Sequence, residues 1–406
     1  MPNVSQRGAN TYASPIRKLS AFANAAKAAG RHVYHLNIGQ PDIRTPKTAI
    51  DKIRSLDLDV IPYAPAEGIP SYRNALVDYY KKNGITISKD QLLVTTGASE
   101  AILFGMLSCM DEGDEVIIPE PFYAIYNGFT QMSGVVIKPV KTYLETGFAL
   151  PEIEAFEAEI TSKTKAILIC NPNNPTGCIY PKATLKALAV LAKKYDLFLF
   201  VDEVYREFCY DGDFFSVLNI PDMEEHIIVM DSVSKRYSAC GARVGAMVTR
   251  NAEVLNTVVK FSRLRLSAPT LGQLLAEGSL QEPTEYLENA VAEYKKRRET
   301  VFQRLSQMEG VKCYLPQGAF YCFAELPIDN ADRFCQWLLE DFSYHNKTVM
   351  LAPGSGFYAS AGAGEQQIRI AYVLNVNDLN AAMDCLENAL AVYPYRVTAT
   401  ANAMQD

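Results

Sequence analysis

From about residue 70 onward, short apolar segments alternate with segments of helical pattern, and this alternation limits the possible folds more than any other feature. The apolar segments are continuous, so both faces of each predicted strand are expected to be buried. Such strands, separated by helices, are typical of a mostly parallel sheet with helices on both faces, and the sequence therefore predicts an α/β fold here. The predicted strands are QLLVTTGAS, DEVIIP, GVVIKPV, KAILIC, LFLFVDE, HIIVMDSV and RVGAMVT.

The pattern changes after about residue 282, where a long, highly charged helix is followed by shorter strands and two more helices. This mixture is typical of a smaller α+β domain. The early strand HVYHLNIG, preceded by a predicted helix over 14–30, is expected to join it. We therefore predict an N-terminal segment (1–50) that joins the small domain, a large domain (51–282) and a C-terminal small domain (283–406).

Composition and charge argue against several classes of function. With 49% hydrophobic and 21% charged residues, the chain has the composition of a globular protein, and its net charge of −7 argues against nucleic acid as the main partner. The first residues lack the apolar stretch of a signal peptide, and no apolar run approaches the roughly 20 residues that cross a membrane. Nine irregularly spaced cysteines favour reduced thiols. We expect a cytoplasmic location, no nucleic-acid partner and no membrane association.

Two patterns that could indicate other sites are rejected. His32 and His35 would point to opposite faces of one strand, so we expect no metal site. The segment GSGFYA (354–359) matches G-x-G-x-x-A after a predicted strand, as in a dinucleotide-binding turn. The turn-forming residues SAGAGEQQ follow it, so no helix N-terminus is expected there to bind a pyrophosphate.

One lysine lies in a segment unlike a solvated helix face. In SVSKRYSACGARVG, Lys235 lies among small residues, and Arg243 follows eight positions later in a glycine-rich turn. Small neighbours leave room for another molecule to approach the amine closely. A surface loop with an unrelated basic pair explains this segment alone equally well.

Two glycine- or proline-rich loops follow predicted strands. In TTGASEA, the backbone N–H groups of Gly97, Ala98 and Ser99 would lie at a helix N-terminus, which is a seat for phosphate. In NPNNPTG, prolines on both sides hold Asn174 at the carboxyl end of a strand, where α/β sheets bind ligands. A plain capped helix and a plain turn are the alternatives for these two loops.

Two predicted strands carry charged residues at positions where the apolar pattern predicts burial. In FLFVDEVYREF, Asp202 and Glu203 interrupt an apolar run, and Tyr205 follows. A buried carboxylate is costly unless it meets a cation or several donors. In QQIRIAYV, Arg369 lies inside an apolar strand, which implies an anionic ligand or a carboxylate partner.

Pyridoxal 5′-phosphate would satisfy all of these groups, with its phosphate, aldehyde, ring nitrogen and phenolic oxygen each meeting a suitable partner. The residues so matched are Ser232, Arg243 and the 97–99 turn for the phosphate, Lys235 for the aldehyde, Asp202 for the ring nitrogen, and Tyr205 with Asn174 for the phenolic oxygen.

With these residues, the chain resembles the fold-type I, class I aminotransferases, the aspartate aminotransferase superfamily, over nearly its whole length. The matching motifs are S-x-S-K and G-x-R (Ser232, Ser234, Lys235, Gly241, Arg243), N-P-T-G (Asn174 to Gly177) and D-E-x-Y (Asp202, Glu203, Tyr205). The resemblance implies a large domain that binds pyridoxal phosphate and a smaller α+β domain formed by both termini.

The resemblance also implies catalytic and cofactor-binding roles. Lys235 would form the Schiff base with the cofactor and then move a proton. Asp202 would keep the ring nitrogen protonated, so that the ring accepts electrons. Tyr205 and Asn174 would hydrogen-bond the phenolate oxygen, and Tyr123, where many aspartate enzymes have tryptophan, would lie against the ring.

Substrate and subunit contacts are implied in the same way. Arg369 would pair with the substrate α-carboxylate, assisted by Asn174 and the backbone of Gly39. Tyr63 would reach the phosphate in the neighbouring subunit of a homodimer, whose active sites would lie at the subunit interface.

The activity implied is a ping-pong transamination between an amino acid and a 2-oxo acid. Arg263 and Arg265 are candidates to bind a second substrate carboxylate, and their spacing of two allows at most one to face the site. We therefore expect aspartate or glutamate as donor and 2-oxoglutarate as acceptor. Alanine or aromatic donors and a carbon–sulfur β-lyase are alternatives. A cofactor-sensing DNA-binding regulator is disfavoured, because only about 35 residues precede LNIGQPD.

Overall fold

The computed structural model describes residues 2–11 and 17–397. The predicted helix over 14–30 lies partly outside these residues, and its described part is helical from Ser20 to Ala28. Within the described ranges, no helix is both long enough and apolar enough to cross a membrane.

The described strands fall close to the apolar segments of the sequence. They are β1 (His32–His35), β2 (Leu92–Thr95), β3 (Glu115–Glu120), β4 (Val136–Lys141), β5 (Thr164–Cys170), β6 (Phe198–Asp202), β7 (Ile227–Ser232), β8 (Gly245–Thr249), β9 (Lys312–Cys313), β10 (Tyr321–Glu325), β11 (Lys347–Met350), β12 (Ala352–Pro353) and β13 (Gln367–Ala371).

The helices lie between these strands and at both ends of the described chain. They are α1 (Gln6–Asn10), α2 (Ser20–Ala28), α3 (Lys47–Arg54), α4 (Pro70–Lys82), α5 (Gly97–Cys109), α6 (Tyr126–Ser133), α7 (Ile153–Glu157), α8 (Lys182–Lys194), α9 (Val233–Arg236), α10 (Ala252–Leu264), α11 (Thr270–Ser279), α12 (Glu285–Gln307), α13 (Ala331–Glu340) and α14 (Val376–Val392).

Seven strands form the large sheet, in the order β2-β8-β7-β6-β5-β3-β4. All neighbouring pairs are parallel except those of β8, which runs antiparallel to both β2 and β7. The predicted α/β fold with a mostly parallel sheet is confirmed.

Helices cover both faces of the large sheet, because successive side chains of each strand point in opposite directions. In β6, Leu199 and Val201 belong to one apolar cluster, together with Leu185 and Leu188 of α8. Phe200 belongs to the cluster on the other face, which includes residues of α5 and α10. This two-sided burial explains why the strand sequences are apolar throughout.

The remaining strands form two smaller sheets. The strands β12, β13, β10 and β9 form an antiparallel sheet, and β1 pairs in parallel with β11. Strand β1 therefore packs with the C-terminal part of the chain, as expected for a small domain that contains both termini. The exact boundaries after residues 50 and 282 stay a prediction.

The rejected segment GSGFYA contains a 3-10 turn, Gly354–Phe357. Among the described residues, no α-helix follows this turn until Val376.

Candidate active site

A cavity of about 560 Å³ lies at the carboxyl ends of β5, β6 and β7. Tyr321 of β10 and Arg369 of β13 also line it. The ends of β5 and β6 are level, because Cys170 pairs with Asp202. Asp202 pairs in turn with Met230 of β7, and β7 continues to Ser232. The residues predicted from sequence that line the cavity are Gly39, Ala98, Ser99, Tyr123, Asn174, Asp202, Tyr205, Ser232, Lys235, Arg243 and Arg369. Gly97 lies directly beside it, whereas Tyr63 does not line it.

Lys235 lies on α9, a single helical turn that follows β7 directly. Its Nζ donates a hydrogen bond to the carbonyl oxygen of Gly39 at 2.7 Å and lies 5.9 Å from the centre of the Phe320 ring. No carboxylate of the described residues forms an ion pair with Lys235. The amine therefore faces the cavity with only a neutral partner.

The turn that carries Lys235 is fixed on both sides. Ser232 caps it, since its Oγ accepts a hydrogen bond from the Ser234 backbone N–H at 3.1 Å. Arg236 donates to both carboxylate oxygens of Asp231, at 2.7 and 2.9 Å, and to Glu207 at 2.6 Å. This buried ion cluster was not identified from the sequence, because its members lie on separate segments.

Asp202 is buried at the end of β6 and has no cationic partner within ion-pair distance among the described residues. Its Oδ2 accepts a hydrogen bond from the Tyr126 hydroxyl at 3.0 Å, and its Oδ1 accepts one from the Val204 N–H at 3.2 Å. Burial raises the pKa of Asp202 to about 6, although both hydrogen bonds act in the opposite direction. A cation placed against this carboxylate would lower that pKa again.

Tyr126 is a site residue that sequence reasoning missed, since it had selected Tyr123 from the same segment. Tyr123 lines the cavity, and its ring meets the Tyr126 ring edge-on at 5.5 Å between centroids. The pattern PEPFYAIY does not distinguish which tyrosine turns toward Asp202.

Tyr205, Asn174 and Tyr321 form a second polar group. The hydroxyls of Tyr205 and Tyr321 are 2.9 Å apart, and the Asn174 Nδ2 donates to the Tyr205 hydroxyl at 3.4 Å. Tyr321, on β10, was also missed. It lies so close to Gly39 that a Cβ at that glycine would come within 1.8 Å of the Tyr321 hydroxyl oxygen. Any side chain at position 39 would collide with Tyr321, so only glycine fits there.

Arg369 is fully buried on β13, with 1% of its surface exposed. Its Nη2 donates to the carbonyl oxygen of Asn37 at 2.6 Å, and its Nη1 donates to the Asn174 Oδ1 at 2.9 Å. Its Nε has no hydrogen-bond partner in the described structure, and no described carboxylate forms an ion pair with it. Burial lowers the pKa of Arg369. An anion that entered the cavity would give this buried guanidinium the charge partner that it lacks among the described residues.

The N-terminus of α5 also borders the cavity, through Ala98 and Ser99. Thr96 makes no side-chain capping hydrogen bond, so the first N–H groups of this helix remain available to a ligand. The Arg243 guanidinium lies over this turn, since a Cβ at Gly97 would come within 2.5 Å of its Nη2. Helix N–H groups and a guanidinium together suit a phosphate group.

The two arginines predicted to bind a second substrate carboxylate do not line this cavity. Arg263 pairs with Glu67 at 3.1 Å, and its side chain is largely exposed. Arg265 pairs with Glu100 at 3.1 Å and donates to the carbonyl oxygen of Val94. Within one chain, both guanidinium groups are therefore already engaged.

Comparisons with known proteins agree with this arrangement. A family model described as aminotransferase class I and II matches residues 31–386. An aspartate aminotransferase of Thermotoga maritima is 33% identical over 95% of this chain and 99% of its own length. An aromatic-amino-acid aminotransferase of Thermococcus litoralis is 32% identical over 93% of this chain and 95% of its own length.

A solved structure of an aspartate aminotransferase from Thermus thermophilus with maleate superimposes with a TM-score of 0.87. It shares 29% sequence identity and covers 96% of this chain and 100% of its own. The fold and the family are thus the same in these comparisons, whereas the amino donors in the relatives' names differ.

Proposed function

The chain belongs to the aminotransferase class I and II family, and from that premise we propose that it transfers the amino group of aspartate or glutamate to a 2-oxo acid, with Lys235 moving the proton. For aspartate the proposed acceptor is 2-oxoglutarate. It is an aminotransferase that uses pyridoxal 5′-phosphate. The observation that carries the proposal is the convergence of three groups on one cavity: the Lys235 amine and two buried side chains, Asp202 and Arg369. None of the three has an ion-pair partner among the described residues.

Residues that line or border the cavity suit each polar group of the cofactor: the ring nitrogen, the phosphate and the phenolic oxygen. Asp202 would hold the ring nitrogen, and a cation there relieves the cost of burying this carboxylate. The open N-terminus of α5 and Arg243 would hold the phosphate, while Tyr205 and Asn174 would bind the phenolic oxygen. When bound, pyridoxal phosphate supplies a conjugated ring that accepts the electrons released at the substrate α-carbon.

Lys235 is suited to move a proton because no carboxylate of the described part of the chain forms an ion pair with its amine. It would take a proton from the α-carbon of the donor and return it on the cofactor side. The hydrogen bond to Gly39 keeps the amine at the cavity wall, and the turn fixed by Arg236 and Asp231 limits how far it can move.

Arg369 would bind the α-carboxylate of the donor, and the Asn174 amide would orient its guanidinium. An arginine and a carboxylate that meet in a water-poor cavity form a strong, directional pair. This pair would fix the donor with its α-carbon toward Lys235.

A dicarboxylic donor is supported by the relatives. The Thermotoga maritima protein is named for aspartate, and the Thermus thermophilus structure contains maleate, a dicarboxylate. The Thermococcus litoralis relative is named for aromatic amino acids, so the donor has to be measured for this chain.

The experiment that tests the proposal is a half-reaction screen of the loaded enzyme, monitored by the cofactor spectrum. Aspartate and glutamate should convert the cofactor to its amino form, and 2-oxoglutarate should reverse the change. Borohydride reduction followed by peptide mapping should place the cofactor on the peptide that contains Lys235. A label on another lysine, or ammonia release without a 2-oxo acid, would contradict the proposal.

We also propose a cytoplasmic homodimer. The nine cysteines all lie within the described residues and are free thiols, which favours a reducing compartment. Tyr63 is 79% exposed in the single chain, as expected for a side chain that reaches into a neighbouring subunit.

A further inference from the structure

The cavity contains more positive charge than the assigned roles use. Four cationic side chains line it, Arg17, Lys235, Arg243 and Arg369, whereas Asp202 is the one carboxylate that lines it in the described structure. Lys235, Arg243 and Arg369 serve the aldehyde, the phosphate and the α-carboxylate. Arg17 has no assigned role.

Arg17 lies on a segment that is anchored at the edge of the cavity. The next residue, Lys18, forms an ion pair with Asp332 of α13, and Asp332 also accepts a hydrogen bond from the Ser355 hydroxyl at 2.6 Å. Leu19 is buried in the core of the C-terminal part. The backbone is thus fixed immediately after Arg17, and its carbonyl oxygen accepts a hydrogen bond from the Ser20 N–H at 3.0 Å.

The Arg17 side chain is exposed and forms no hydrogen bond or ion pair with the other described residues, although its backbone is held. Its guanidinium can therefore turn toward a ligand without giving up a partner among residues 2–11 and 17–397. Arg263 and Arg265 differ in this respect, since each would have to leave a carboxylate, Glu67 or Glu100, before it could bind another.

We infer that Arg17 binds the side-chain carboxylate of the donor and so determines the preference for dicarboxylic amino acids. This inference rests on the proposed transamination. Arg369 would hold the α-carboxylate at the buried end of the cavity, and Arg17 would hold the second carboxylate at its open end. A planar guanidinium can bind a carboxylate through two parallel hydrogen bonds, which a neutral side chain such as that of alanine cannot use.

The test compares Arg17→Gln and Arg17→Lys with wild type, with aspartate and alanine as donors. Loss of a charge-assisted hydrogen bond should lower kcat/KM for aspartate about 10- to 100-fold in Arg17→Gln and leave alanine unchanged. Arg17→Lys should lie between, because lysine keeps the charge without the paired geometry. A spectral titration with maleate should show the same loss of affinity in Arg17→Gln without any turnover.

Arg263→Gln is the matched control, since it removes a guanidinium that lies outside the cavity, and it should keep the wild-type preference. If Arg17→Gln keeps that preference, or if Arg263→Gln loses it instead, the inference about Arg17 is wrong while the transamination stands. A wild-type enzyme that prefers alanine or an aromatic donor would overturn both the inference and the proposed donor. A wild type that accepts no amino donor would overturn the proposed function itself.

Discussion

At the scale of single residues, two buried aspartates show how partners distinguish a structural charge from a functional one. Asp231 meets Arg236 directly, and although burial opposes ionisation, Arg206 and Arg236 hold its pKa well below the usual range. Asp202 is equally buried, but within the described structure it accepts hydrogen bonds only from neutral donors, and burial raises its pKa to about 6. The charge of Asp231 is compensated by arginines of the chain, whereas Asp202 has no cation within ion-pair distance among the described residues, which leaves room for a cation supplied by a ligand.

The Asp202→Asn variant tests this distinction in the protein freed of cofactor. Because the pKa of Asp202 is raised in the folded state, its contribution to stability is present at low pH and is lost as the pH rises toward about 6. Relative to Asp202→Asn, the wild type should therefore lose about 2 kcal/mol of unfolding free energy between about pH 4 and pH 7. Denaturant unfolding of both proteins across this range gives the measurement. A difference that does not change with pH would show that Asp202 is charged and compensated without the cofactor.

At the scale of elements, the junction of β2 and α5 has the backbone geometry of the phosphate site that we propose. The residues Gly97, Ala98 and Ser99 were expected at a helix N-terminus, and α5 does begin at Gly97. Gly97 has a φ of +72°, a backbone conformation that glycine adopts without strain. The turn therefore brings the first N–H groups of α5 beneath the Arg243 guanidinium.

Substitution Gly97→Ala should weaken cofactor binding more than it weakens the fold. An alanine at this φ costs about 1–2 kcal/mol, and its Cβ would also displace the Arg243 guanidinium. We expect the dissociation constant for pyridoxal phosphate to rise by about 10-fold or more. Gly84→Ala is a matched control, because Gly84 has a φ of +71° and nothing within 4 Å of the added Cβ. It should lose comparable stability and keep its cofactor affinity, and equal affinities in both variants would contradict the role of the turn.

The strands of the large sheet could be predicted because each is buried on two faces and therefore apolar throughout. The segment TVMLAPG has the apolar pattern of a single strand, but it contributes to two, since β11 pairs with β1 and β12 pairs with β13. Lys235, Asp202 and Arg369 could be proposed because a charge in an apolar or small-residue segment is conspicuous. Tyr126 and Tyr321 could not be, since their roles depend on which distant side chain the fold brings to each hydroxyl.

At the scale of the whole molecule, one exposed surface is unusually apolar. We name it the Tyr63 surface, and it consists of Leu58, Val60, Ile61, Tyr63, Leu264 and Leu266, with Leu264 83% and Val60 71% exposed. Its two segments are joined, because the Thr270 hydroxyl donates to the carbonyl oxygen of Pro62 at 2.9 Å and Arg263 pairs with Glu67. A contiguous apolar surface on one chain is typical of a subunit interface.

The Leu264→Asp variant should therefore weaken the homodimer. A carboxylate buried without a partner in an interface costs about 3 kcal/mol or more, which raises the dimer dissociation constant at least about 100-fold. Sedimentation at a series of protein concentrations measures this constant, and Val190→Asp is the control, since Val190 is 67% exposed on α8 outside the Tyr63 surface. If Tyr63 completes the phosphate site of the neighbouring subunit, Leu264→Asp should also bind pyridoxal phosphate more weakly at concentrations where it dissociates. A wild-type monomer would show that each active site is built from one chain. A Leu264→Asp dimer as stable as the Val190→Asp dimer would show that the Tyr63 surface lies outside the dimer interface.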